Sequence, residues 1–235
     1  MTRIGTILLA VALACLPVRP ALATAQQADA LLLDGKEHAL NTNPLAAWIE
    51  AHPDRAPGSE VRSSANWRGY IATWEVAGGK LWLRKVEVSY VDGKERREYV
   101  DNKGVGRVIE IPQYRQRDVL GDLFDGRREI VATWYTGTLI VPQGELVDYV
   151  HMGYGSTYER YTIIWVKAGE VLRRLDLDAE QYTALRKERF EAYKQTAAYR
   201  EQVGRLKGKD AAFREDFLYQ FATEEYLSAD PALAK

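Results

Sequence analysis

The sequence predicts an α+β fold with antiparallel strands in one or two sheets, short helices and a C-terminal helical pair. Three observations predict it. Apolar and polar residues alternate with a period of two through much of residues 30–175, glycine-bearing turn signals separate those runs at short intervals, and the periodicity becomes helical after Asp178.

Residues 1–25 read as a secretory signal peptide. Arg3 supplies a short basic start, Ile4 to Leu16 is almost wholly apolar, and Pro20 precedes the small-residue pattern Ala21-Leu22-Ala23-Thr24-Ala25. The apolar run is about 13 residues where a membrane-spanning helix needs about 20, so export to the periplasm or the medium is expected rather than a transmembrane anchor. A rival reading makes Cys15 a lipidation site, but Leu13 stands one place too close to it for a good lipoprotein signal. Cys15 is the only cysteine. Once the leader is removed, thiol nucleophiles, disulfides and thiolate metal sites are all excluded, and the fold must rest on its core. The leader also carries Arg3 and Arg19 and no acid, so a chain of net charge −1 becomes slightly more acidic. That is no footprint for nucleic acid.

Residues 26–177 form the expected β domain. Ala30–Leu33 and Glu37–Leu40 flank Asp34-Gly35, a strong hairpin signal. Asn43-Pro44 has the form of a helix N-cap with proline at the first helical position, which opens a short helix over 44–51. Tyr70, Ala72, Trp74 and Val76 alternate on one face, and after Gly78-Gly79 the same period carries Trp82, Val86, Val88 and Tyr90. Asp92-Gly93 predicts the next turn, with short strands over 95–100 and 107–111 and a short helix over 116–124. A second block begins at Ile130, breaks at Pro142-Gln143-Gly144, turns a corner at Gly153-Tyr154-Gly155, and returns over 158–166 and 171–175. Residues 178–227 form the expected helical pair. Asp178 caps a helix running to about Leu206, and Phe213, Phe217 and Phe221 recur every fourth residue on the next, a stripe expected to pack on the sheet or on the first helix.

The chemistry-bearing residues concentrate between Val150 and Arg160. His151, Tyr154, Tyr158 and Glu159 are the candidate catalytic residues, and His151, Tyr154, Gly155, Ser156 and Tyr158 the candidate binding residues, because two glycines one residue apart permit close backbone approach amid groups able to carry protons. His38, His52 and His151 lie in separate segments without metal-ligand spacing, and no glycine-rich phosphate loop or nucleophile elbow is present, so no metal or cofactor is expected. The leading functional expectation is an exported, non-enzymatic protein that binds a protein partner in the cell envelope, of an immunity or inhibitor type. The alternatives are a hydrolase or lyase of an envelope polymer using His151, and an assembly factor that docks through the C-terminal helices.

Overall fold

A computed structural model of the chain describes residues 26–59, 61–150, 153–230 and 233; the expected signal peptide, Cys15 and His151 lie outside them. The fold is α+β, built on a mostly antiparallel sheet. Strands β1 (Asp29–Leu33) and β2 (Lys36–Leu40) form the expected hairpin, with Asp34 and Gly35 both at positive φ as a two-residue turn requires. Helix α1 (Pro44–Ala51) follows, then β3 (Tyr70–Ala77), β4 (Lys80–Val100), β5 (Gly106–Asp118), the single turn α2 (Leu120–Leu123) and β6 (Ile130–Val131). The second block is β7 (Gly137–Asp148), β8 (Thr157–Lys167) and β9 (Glu170–Asp178). The strand order is β2-β1-β3-β4-β9-β8-β7, with β5 and β6 also paired to β4, and β1–β3 is the parallel pair.

The two halves of the sheet join at one narrow seam, Lys80 against Glu170, and fold over a shared core. Leu31, Trp74, Leu83 and Val86 from the first half meet Leu139, Val141, Ile164 and Val166 from the second. The ends of the strand order come together as well, with the Asn41 amide donating to the Ile140 carbonyl at 2.8 Å. The opposite face of β7 and β8, carrying Ile140, Tyr161, Ile163 and Trp165, is covered by helices. Both strands are therefore buried on two sides, which explains why the segments Leu139–Val141 and Ile163–Val166 are continuously apolar instead of alternating.

The C-terminal helices differ from the sequence expectation in that each of the two expected helices is divided. Asp178 caps α3 (Ala179–Tyr193) through a reciprocal capping box with Gln181, but the helix ends at Tyr193 and α4 (Ala197–Arg205) starts afresh with Thr196 as its cap. Helices α5 (Ala211–Phe221) and α6 (Thr223–Ser228) then return to the sheet. Among the described residues no helix is long and apolar enough to cross a membrane.

Two expected turns are bulges inside longer strands. Asp92-Gly93 stands opposite Gln113 alone, so β4 continues to Val100 and the hairpin closes at Asp101–Val105 instead. Gly93 has φ +92, which a bulge uses as readily as a turn. Pro142-Gln143-Gly144 likewise lies within β7, where the register shifts between Gln143 and Leu146. A third shift near Thr73 and Trp74 leaves Arg84 without a partner on β3 and changes which residues of β4 face inward. Leu81 and Leu83 are buried, whereas Trp82 lies half-buried on the other face with the Arg84 guanidinium 4.9 Å from its ring. The expected inward position of Trp82 is thus corrected by a one-residue insertion in the strand.

Candidate functional site

Six separate segments converge on a polar cluster at the end of the sheet where Tyr70 pairs with Val88. Asp29 begins β1 at the same parity as Leu31 and Leu33, so its carboxylate points inward and is 1 % exposed. One oxygen accepts from the Ala72 amide at 3.1 Å and lies 3.1 Å from Arg68 Nη1, and the other accepts from the Trp74 indole at 3.0 Å. Burial pushes the Asp29 carboxyl up, while the Arg68 guanidinium and these donors pull it back. The Arg68 side chain is itself 4 % exposed, donates to the Gln27 carbonyl at 2.8 Å and lies over the Tyr70 ring.

Asn43 stands in the capping position of α1, but its side chain does not cap the helix. Its Oδ1 accepts from Arg68 and, at 3.0 Å, from the Tyr154 hydroxyl, while its backbone amide donates to Glu224 Oε2 at 3.2 Å. The Tyr135 hydroxyl completes the chain of contacts, 3.4 Å from Glu224 Oε1 and 3.1 Å from the Thr138 carbonyl. Burial raises the Glu224 carboxyl to about 7, with the Asn43 amide opposing that rise, so this group exchanges a proton near neutral pH. Burial also pushes the Tyr154 phenol up, which keeps it a neutral donor. Two clefts flank α1 here. One of about 310 Å³ lies between the helix and the Trp67–Tyr70 segment, and one of about 410 Å³ lies between the helix, Tyr135 and Glu224; Asn43, Ala46 and Glu50 border both.

The structure separates the residues that the sequence groups together. Tyr154 joins the buried cluster. Ser156 closes the corner, its hydroxyl bonded to the Val150 amide at 3.0 Å. Tyr158 turns away to meet Tyr161 edge-on, beside the Tyr161–Tyr182 stack under α3. Glu159 is exposed and accepts from the Glu145 amide, so it braces the β7 bulge and does not reach Tyr154's surroundings. The two glycines admit a close neighbour, and that neighbour belongs to the same protein: a Cβ on Gly153 would stand 2.9 Å from the Phe221 ring, and one on Gly155 2.8 Å from Val150. Gly153 also has φ +56. Gly153→Ala is therefore expected to cost about 1–3 kcal/mol through the clash with Phe221, read as a lowered urea midpoint. The phenylalanine stripe accordingly packs at its Phe221 end, while Phe213 remains 44 % exposed.

A second feature emerges from the β4–β5 pair. Beyond Val91 and Tyr114 the two strands leave the sheet and, among the described residues, pair only with each other, an arm that extends about 30 Å at about 3.3 Å per residue. It carries Tyr99 and Ile109 on one face and Val91, Val100, Val108 and Tyr114 on the other, all between 40 % and 68 % exposed. Its acids are largely neutralised within it, as in Lys94–Glu110, Arg97–Glu95, Arg107–Asp101 and Arg115–Asp92. Among the described residues, no group of histidine, cysteine, aspartate and glutamate is placed to hold a metal ion. No protein-family model matches this chain, and no curated protein or solved structure matches it either.

Proposed function

We propose that this chain is a binding protein that recognises a protein partner through the faces of the β4–β5 arm. The observation that carries this reading is an arm with large apolar side chains on both faces and, among the described residues, no layer of its own chain on either. A two-stranded ribbon alone is marginally stable in water, and exposed apolar surface of this extent is costly unless a partner covers it.

The contact falls to the faces rather than the edges. Both edges carry devices that discourage strand addition, namely the Asp92-Gly93 bulge, Pro112 and a run of charged side chains. Because most of the arm's acids are paired internally and its charges balance, it offers little net charge for recognition, and the partner it suits is an apolar groove that admits the ribbon. The expected signal peptide would put that partner in the cell envelope, in keeping with an immunity or inhibitor role. Replacing residues 92–113 by Asn-Gly joins Val91 to Tyr114 through a two-residue turn and removes the arm without touching the core. The full chain is expected to recover a stoichiometric protein from envelope extracts, and the shortened chain, folded with an unchanged melting temperature, is expected to lose it. Equal recovery by both chains, or none by either, contradicts the proposal.

A further inference from the structure

We infer that the 310 Å³ cleft between α1 and the Trp67–Tyr70 segment is a binding site for a neutral saccharide of one or two rings. The inference is independent of the arm. The cleft lies at the small end of the range for ligand pockets, about 300–1,000 Å³, and combines apolar walls with a few convergent polar groups. Trp67, on its lip, is 66 % exposed, among the described large hydrophobic residues second only to Val100. An indole left so far in solvent beside a cleft offers a flat apolar surface to whatever enters.

The polar groups decide the ligand class. Glu50, an exposed residue of α1, borders the cleft, and its carboxylate has no ion pair or hydrogen-bond partner among the described residues. Arg62 faces the cleft with the opposite charge, and the Arg68 guanidinium at its base is balanced by the buried Asp29. The lining is therefore close to electroneutral. An anion would meet Glu50, and a cation would meet Arg62. A neutral polyol meets neither objection. Its hydroxyls both donate and accept, so they can bond to a carboxylate and a guanidinium together, while the C–H face of a pyranose ring covers the indole.

The test is a titration followed by ¹H–¹⁵N spectra of the full chain, with the Trp67 indole signal assigned from Trp67→Phe. Glucose, N-acetylglucosamine and maltose are the neutral probes, and benzoate and benzylamine the charged controls. At least one sugar is expected to shift the Trp67 indole and the Glu50 amide saturably at millimolar concentration. Trp67→Ala is expected to abolish the response, and Glu50→Gln to weaken it about tenfold, as the loss of one charge-assisted hydrogen bond would. Both side chains lie at the surface, so both variants keep the fold. Saturable binding of a charged control alone, no saturable response to any sugar, or a sugar response unchanged in Trp67→Ala would each overturn the inference.

Discussion

Asp29→Ala is expected to lower the unfolding free energy by about 3–5 kcal/mol, the range for breaking one partner out of a buried ion pair. The physical reason is what remains behind. Arg68, with a side chain 4 % exposed, keeps its charge and loses its counter-ion, and the Trp74 indole and the Ala72 amide lose their acceptor in the same step. Asp29→Asn should cost less, because one side-chain oxygen still accepts. Combining Asp29→Leu with Arg68→Met should recover part of the loss, since the uncompensated guanidinium is gone. Urea denaturation of the four chains at neutral pH measures the series, and a loss under about 1 kcal/mol for Asp29→Ala would show that water reaches the pair and that the cluster does not hold the sheet end together.

Glu224→Gln is expected to stabilise the protein at alkaline pH and to change little at pH 4 to 5. Burial holds the native carboxyl near 7, above its ordinary 4.5, so the fold prefers the protonated form. Below about 4.5 folded and unfolded chains both carry the proton and the group costs nothing. Between 4.5 and 7 the unfolded chain ionises first, and stability falls by about 1.4 kcal/mol per pH unit. Above 7 the whole cost, up to about 3 kcal/mol, is present. Glutamine keeps a hydrogen-bonding oxygen for the Asn43 amide and removes the charge. Melting curves at pH 5 and pH 8 should therefore show the variant gaining on its parent as pH rises; parallel curves would mean that Glu224 ionises in the native state at an ordinary pH.

These two residues also mark where the sequence could and could not be read. Local chemistry carried the β1–β2 hairpin, helix α1 and the Asp178 N-cap, because each depends on residues within a few positions of one another. It failed at Asp92-Gly93 and Gln143-Gly144, since a glycine at positive φ suits a turn and a bulge alike and the alternation continues on both sides of either. Asp29 was legible in principle. It shares the parity of Leu31 and Leu33, which places a carboxylate among inward residues once the strand is extended by one position. Glu224 carries no such signal, because its surroundings come from Asn43 and Tyr135, at separations of 181 and 89 residues. Asn43 gave a correct helix start for an incorrect reason, as its side chain serves Arg68 and Tyr154 instead of the helix end. Of the residues expected to act together around the glycine corner, Tyr154 alone reaches the buried cluster among those described, and the others brace the corner, the β7 bulge or the tyrosine stack beneath α3.

Hydrogen–deuterium exchange on the chain alone and in its stoichiometric complex tests the binding role of the arm most directly. In the free protein the amides of 94–100 and 106–112 are expected to exchange faster than those of the buried strands β7 and β8, because no other layer of the described residues packs on the arm. In the complex, the gain in protection is expected to concentrate on residues 94–112. Protection that appears on another surface while the arm exchanges as before would contradict the account.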